Sequence, residues 1–90
     1  MLQTYSIKVT GKVQGVFYRQ STKEKATALG ITGYVKNNPD GSVQIMASGT
    51  TAQLLQLVVW CKQGPVRAIV EEVQVETMPP AVFMGFRIER

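Results

Sequence analysis

Tyr5, Ile7 and Val9 alternate with Ser6, Lys8 and Thr10, the two-residue period of a half-buried strand. A stretch holding two glycines, Gly11 to Arg19, follows it. Gln20 to Leu29 then has helical character, with Tyr18, Thr22, Ala26 and Leu29 at the spacing of one apolar face and Gly30 as the stop. Ser21-x-x-Glu24 resembles a capping box, although a helix starting nearer Tyr18 would leave it inside the first turn. Thr32 to Asn37 reads as a second strand, with Tyr34 and Val35 on opposite faces. Asn38-Pro39-Asp40-Gly41 is turn chemistry, and Val43, Ile45 and Ala47 alternate beyond it, so these two strands form a hairpin. Thr50-x-x-Gln53 opens a second helix. Leu54, Leu57, Val58 and Cys61 share one face, which Leu55 and Val59 are expected to widen, and Gly64-Pro65 ends the helix. Ala68 to Thr77 is strand-like, but the step from Val70 to Val73 breaks alternation and predicts a bulge near Glu71-Glu72. A loop from Met78-Pro79-Pro80 to Gly85 leads to a short strand, Phe86 to Ile88.

The order strand, helix, strand, strand, helix, strand, with a small fifth strand, predicts an α+β ferredoxin-like sandwich (βαββαβ) formed as a single domain over residues 1–90. Its antiparallel sheet would have four to five strands and both helices on one face. A right-handed crossover makes the first and second strands parallel with another strand between them, so their carboxyl ends share one edge of the sheet. Arg19 follows the first strand and Asn37 closes the second. The two can therefore face one small site.

The glycine stretch has the chemistry to form half of such a site. Gly11 and Gly15 allow sharp backbone turns, and successive N–H groups running into a helix N-terminus form a cradle for an oxyanion. Arg19 closes that cradle with a planar fork suited to two phosphate oxygens. Taken alone, such a stretch is more often a tight strand-to-helix turn beside a solvated arginine, and a lone Asn37 more often a strand-end or turn asparagine. Gln14 supports the loop through hydrogen bonds, Asp40 is a turn former, Trp60 and Cys61 pack along the second helix, and Lys12 and Lys36 are solvated.

Composition narrows the chemistry. Of 90 residues, 44% are hydrophobic and 18% charged, enough for one core. The net charge of +4 favours anionic partners, but the basic residues are scattered and form no polybasic arm. There is no histidine, which removes histidine bases, Ser-His-Asp triads and most transition-metal sites. The single cysteine, Cys61, excludes an internal disulfide and a cysteine zinc site. The first residues, Met1 to Tyr5, lack the features of a secretion signal, and no stretch approaches the ~20 apolar residues that span a bilayer. A soluble, cytoplasmic chain is the expectation.

Gly11-x-Val13-Gln14-Gly15-Val16-x-Tyr18-Arg19 resembles the first signature of the acylphosphatases. Gly33-Tyr34-Val35-Lys36-Asn37-x-x-x-Gly41-x-Val43, followed by Gly49, resembles the second at the expected separation. Ala26, Leu29-Gly30-Ile31, Gly64-Pro65 with Ala68 and Val70, and Gly85-Phe86-Arg87-Ile88 extend the likeness over nearly the whole chain. The resemblance implies hydrolysis of the carboxyl-phosphate anhydride of acyl phosphates. It implies phosphate held by the backbone amides of Gln14, Gly15, Val16, Phe17 and Tyr18 and by the side chain of Arg19, with Asn37 positioning water. It implies no metal, no cofactor and no phosphoenzyme. The partners expected are small-molecule acyl phosphates, with inorganic phosphate as product, and no nucleic acid or membrane; the chain is expected to act as a monomer. Phe17-Tyr18 departs from the Gly-Phe of many members, and Val66 from a common proline.

Two other readings stand beside this one. RNA-recognition domains share the topology but stack bases on aromatics of the third strand. Val43 to Ser48 carries none. A noncatalytic domain that binds phosphate or acyl phosphate would use the same cradle without turnover.

Overall fold

A computed structural model describes residues 1–90, in the order β1 (Gln3–Lys12), α1 (Tyr18–Leu29), β2 (Thr32–Asn37), β3 (Val43–Gly49), α2 (Thr51–Gln63), β4 (Ile69–Met78) and β5 (Phe86–Glu89). The strands form one sheet in the order β4-β1-β3-β2-β5. β1 and β2 each pair antiparallel with β3, so they run parallel to one another and end on the same edge. The chain has the ferredoxin-like α+β fold.

Alternation decides which face of the sheet the helices cover. Ile7, Val9, Val35, Val43, Ile45 and Ala47 point to one side and are fully buried, packed beneath Ala26, Leu54, Leu57 and Cys61 of the helices. Burying a side chain of this class contributes about 1.5–3 kcal/mol, so this layer holds the fold. The neighbouring positions point the other way. There Thr4 and Ser48 share a hydrogen bond of 2.7 Å, and the segment between β4 and β5 lies across them. Ala81 donates its N–H to Thr4 Oγ1, and its carbonyl accepts from Ser48 Oγ. Phe83 meets Tyr34 edge-on farther along.

That crossing corrects the expectation of an antiparallel sheet. It carries the chain from one sheet edge to the other, where β5 pairs parallel with β2, Gly33 opposite Phe86 and Lys36 opposite Glu89. The sheet is mixed because the β4–β5 connection is long enough to span it.

Three local expectations also change. Helix α1 starts at Tyr18 rather than Gln20, because Tyr18 is buried as part of the helix. Ser21-x-x-Glu24 is therefore no capping box; Ser21 lies in the first turn, its N–H donating to the Phe17 carbonyl at 3.0 Å. Leu55 and Val59 do not widen the buried face of α2: they are 52% and 68% exposed. Leu55 lies a step of about 100° past buried Leu54, and Val59 lies two residues from both Leu57 and Cys61, about 160° around the helix, so both turn away from the single sheet beneath. The expected bulge is present, since Thr10 pairs with Glu72 and Gly11 with Val70, leaving Glu71 unmatched. Gly11 permits this close approach: a Cβ there would collide with the Ile69 carbonyl oxygen and lie 2.8 Å from the Glu71 nitrogen.

Candidate active site

The chain between β1 and α1 is fastened from inside. Val13 and Val16 are buried, and Gln14 Nε2 donates to the carbonyls of Asn38 and Ser42, both at 2.9 Å. Gln14 thus ties this loop to the turn that follows Asn37. Gly15 takes a left-handed backbone at φ 73°, as glycine does at little cost. Phe17 takes the same region at φ 64° and ψ 24°. For a residue with a Cβ that conformation costs roughly 1–2 kcal/mol.

These turns leave the backbone donors unused. No protein group accepts from the consecutive N–H groups of Gln14 through Gln20; the first α1 residue to find a backbone partner is Ser21. Helix N-termini ordinarily fill that vacancy with a capping side chain. In α2, Thr50 accepts from Gln53 N while Gln53 Oε1 accepts from Thr50 N, so its end is closed. At α1 the N-cap is Phe17, there is no side-chain cap, and the first turn carries no acid. The open N–H groups and the positive end of the helix dipole attract an anion.

Arg19 stands at this end with its guanidinium uncommitted to any carboxylate. The chain's two ion pairs are Lys8–Asp40 at 3.1 Å and Arg87–Glu89 at 3.9 Å. The one hydrogen bond of the Arg19 side chain is long, 3.4 Å, from Nη1 to the Glu89 carbonyl of β5.

Asn37 ends β2 on the same edge. Its Oδ1 is buried and accepts no hydrogen bond. A buried acceptor without a donor costs about 1–3 kcal/mol, and this is the one buried side-chain polar atom of the chain left in that state. The turn beyond it is held rigid: Asp40 Oδ1 accepts from Ser42 N at 2.9 Å and Ser42 Oγ at 2.6 Å, and Asn38 Nδ2 donates to Ser42 Oγ. The Ser42 side chain, the Ser42 backbone N–H and then Lys8 lower the Asp40 carboxyl to about 2. That is turn chemistry, and it leaves Asp40 no proton to donate.

A pocket of about 360 Å³ joins these parts, with Gly15, Phe17, Arg19 and Asn37 in its wall together with Ile88 of β5 and Arg90. A family model described as Acylphosphatase matches residues 5–88.

The chain belongs to the acylphosphatase family.

It is 50% identical to an acylphosphatase of Marinobacter nauticus over 87 residues, covering 96% of this chain and 95% of the relative. The structure of an acylphosphatase from Coxiella burnetii superposes with a TM-score of 0.95 at 36% identity, covering 98% of this chain and 93% of that one. The acylphosphatase from Bacillus subtilis also gives 0.95, at 33% identity with both chains fully covered.

Among the candidate site residues singled out from the sequence, Gly15, Phe17, Tyr18, Arg19 and Asn37 line this pocket. Gln14 and Val16 do not: one side chain braces the turn and the other is in the core, so only their backbone N–H groups are available. Tyr18 reaches inward, its hydroxyl donating to the Cys61 carbonyl at 2.8 Å and its ring meeting Trp60 at 5.4 Å. Burial, reinforced by Cys61, raises the Tyr18 phenol far above its ordinary value, and burial pushes the Cys61 thiol up to about 12. Both stay protonated and serve packing. Arg90 and Ile88 were not legible as site residues, because only the β2–β5 pairing brings the chain's end to this edge.

Proposed function

We propose how the residues of this pocket carry out the acyl phosphate hydrolysis that family membership assigns to the chain. The observation that carries the reading is the unpartnered run of N–H groups from Gln14 to Gln20, beside Arg19 in a pocket that Asn37 also lines. The amides of Gln14 to Tyr18 and the Arg19 guanidinium hold the phosphoryl oxygens and oppose the charge that spreads over them in the transition state. The Asn37 side-chain amide, in the pocket wall, hydrogen-bonds a water and orients its oxygen toward phosphorus, opposite the acyl oxygen. The new O–P bond forms as the P–O bond to the acyl group breaks. The carboxylate leaves with that electron pair, and the water's proton passes to a phosphoryl oxygen of the substrate.

The leaving group is a weak base, so no general acid is required. The chain has no histidine to act as a base, and Asp40 is committed to its turn. We read the reaction as independent of metal and cofactor. No three His, Cys, Asp or Glu side chains cluster to hold an ion, and the donors described already supply the charge stabilisation a metal would. The same reading takes the chain as a monomer in the cytoplasm, without a nucleic-acid partner; β3 offers no aromatic on which a base could stack. No helix is long and apolar enough to cross a membrane.

Benzoyl phosphate hydrolysis in the presence of a chelator tests the mechanism. Arg19→Ala and Asn37→Ala are each expected to lower kcat by about 10²–10³-fold, the usual loss for a transition-state donor or positioning group. Phosphate binding, followed by calorimetry, is expected to fail in Arg19→Ala and persist in Asn37→Ala. Wild-type rates in either variant, or loss of activity to the chelator, would overturn it. Phosphate binding by a wild-type chain without turnover would instead support a noncatalytic sensor.

A further inference from the structure

We infer that the Phe17 ring selects the acyl group, favouring acyl phosphates with aromatic or other bulky apolar acyl chains over acetyl phosphate. The inference rests on the phosphate placement given above and extends it to the part of the substrate that the cradle does not hold. Phe17 is the one non-glycine residue with positive φ, and its side chain is 71% exposed. It belongs neither to the buried core nor to the hydrophobic residues packed against it, and it joins neither aromatic pair, Tyr18–Trp60 or Tyr34–Phe83. A strained backbone carrying an unpacked ring gains nothing from the fold, and such outliers gather where a ligand is held.

The pocket's composition says which part of the ligand. Its apolar lining is Val13, Tyr18, Phe17 and Ile88. Val13 and Tyr18 are each 1% exposed and form only its floor. Free apolar surface for a substrate comes chiefly from Phe17. The polar lining, Arg19 and Asn37, is accounted for by the phosphoryl group and the water. In-line displacement sends the acyl group away from the water held by Asn37, and its inferred seat is against Phe17, the exposed apolar part of the pocket wall. A volume of about 360 Å³ accommodates an acyl group beside the phosphate. A planar acyl group can stack on the Phe17 ring, whereas acetyl offers one methyl group. An aromatic contact of this kind is expected to favour the aryl substrate by about 3- to 10-fold.

The test is the ratio of kcat/KM for benzoyl phosphate to that for acetyl phosphate in the wild type, Phe17→Ala, Phe17→Gly and Phe17→Tyr. In parallel, benzoylphosphonate and acetylphosphonate, which are not hydrolysed, are titrated by calorimetry. The ratio is expected to fall about 3- to 10-fold in both Phe17→Ala and Phe17→Gly, through KM for the benzoyl substrate, and to survive in Phe17→Tyr. The phosphonate affinities should move in step. Phe17→Gly also removes the backbone strain and Phe17→Ala keeps it, so a ratio that falls in the glycine variant alone would assign the effect to the backbone and overturn the inference. An unchanged ratio in both would overturn it too. If the wild type hydrolyses neither acyl phosphate, the proposed mechanism fails, while the phosphonate titrations still decide the role of the ring.

Discussion

Phe17 holds a left-handed backbone and an exposed ring at the point where the loop becomes a helix. Glycine adopts that geometry without the Cβ conflict, so Phe17→Gly is expected to be more stable by about 1 kcal/mol. In a chain of this size that raises the melting temperature by about 4–8 °C. Thermal unfolding followed by circular dichroism checks it; an unchanged or lowered midpoint would mean that the loop relaxes the strain by other means. Asp40 gives the pH dependence. Its carboxyl is lowered to about 2 by the two Ser42 donors and then Lys8. A folded-state value below the ordinary one means that the carboxylate's contribution is complete above the ordinary range and is lost as pH falls through about 2. Wild type should therefore melt above Asp40→Asn near pH 5, with the gap closing as pH approaches about 2. A gap that persists at the lowest pH would assign the effect to side-chain shape rather than charge.

Between elements, the important link is Gln14. It joins the anion loop after β1 to the turn after β2, and so holds the Arg19 half of the pocket in register with the Asn37 half. Gln14→Ala removes both donations while the Asn38 and Ser42 carbonyls keep their backbone donors, Gly41 N and Asn38 N, so the loss is the net worth of two hydrogen bonds, about 1–3 kcal/mol together. Its effect on turnover should exceed its effect on phosphate affinity, because the amides stay on their own loop while Asn37 loses its bracing. Measured kcat and phosphate affinity distinguish this from general loosening, in which both would fall together. The contrast between the helices belongs at the same scale. The Thr50–Gln53 box closes α2, whereas α1 begins on Phe17 with nothing to accept its N–H groups. One end is built for stability and the other is left open to an anion.

At the scale of the molecule, the sheet joins the first and last segments: β1 pairs with β4, and β5 reaches the far edge beside β2. Contacts this distant in sequence make separate unfolding of a part unfavourable, and we propose that all 90 residues unfold as one unit. Denaturant curves from far-ultraviolet circular dichroism and from Trp60 fluorescence should coincide; separate midpoints would show two units. The strands, the Asn38–Gly41 turn, the Glu71 bulge and the α2 cap were legible because each depends on residue period or on chemistry within a few neighbours. The loop after β1 and Asn37 were expected on one edge because two motifs fall at a fixed separation and the crossover rule places both there, and both line the pocket. Local reasoning failed where a distant neighbour decides. Leu55 and Val59 match the apolar pattern, yet face away from the one sheet that could cover them. The parallel pairing of β5 depends on a connection laid across the open face, and with it come Ile88, Arg90 and the Glu89 carbonyl at Arg19. Spacing and residue type alone gave the elements, their order along the chain and the candidacy of Gly11 to Arg19 as a phosphate cradle. Only the tertiary structure decided that Asn37 keeps a buried oxygen without a donor, that Gln14 is a brace, and that Phe17 projects its ring into solvent at the pocket, because burial and hydrogen-bond satisfaction exist only once distant segments have met.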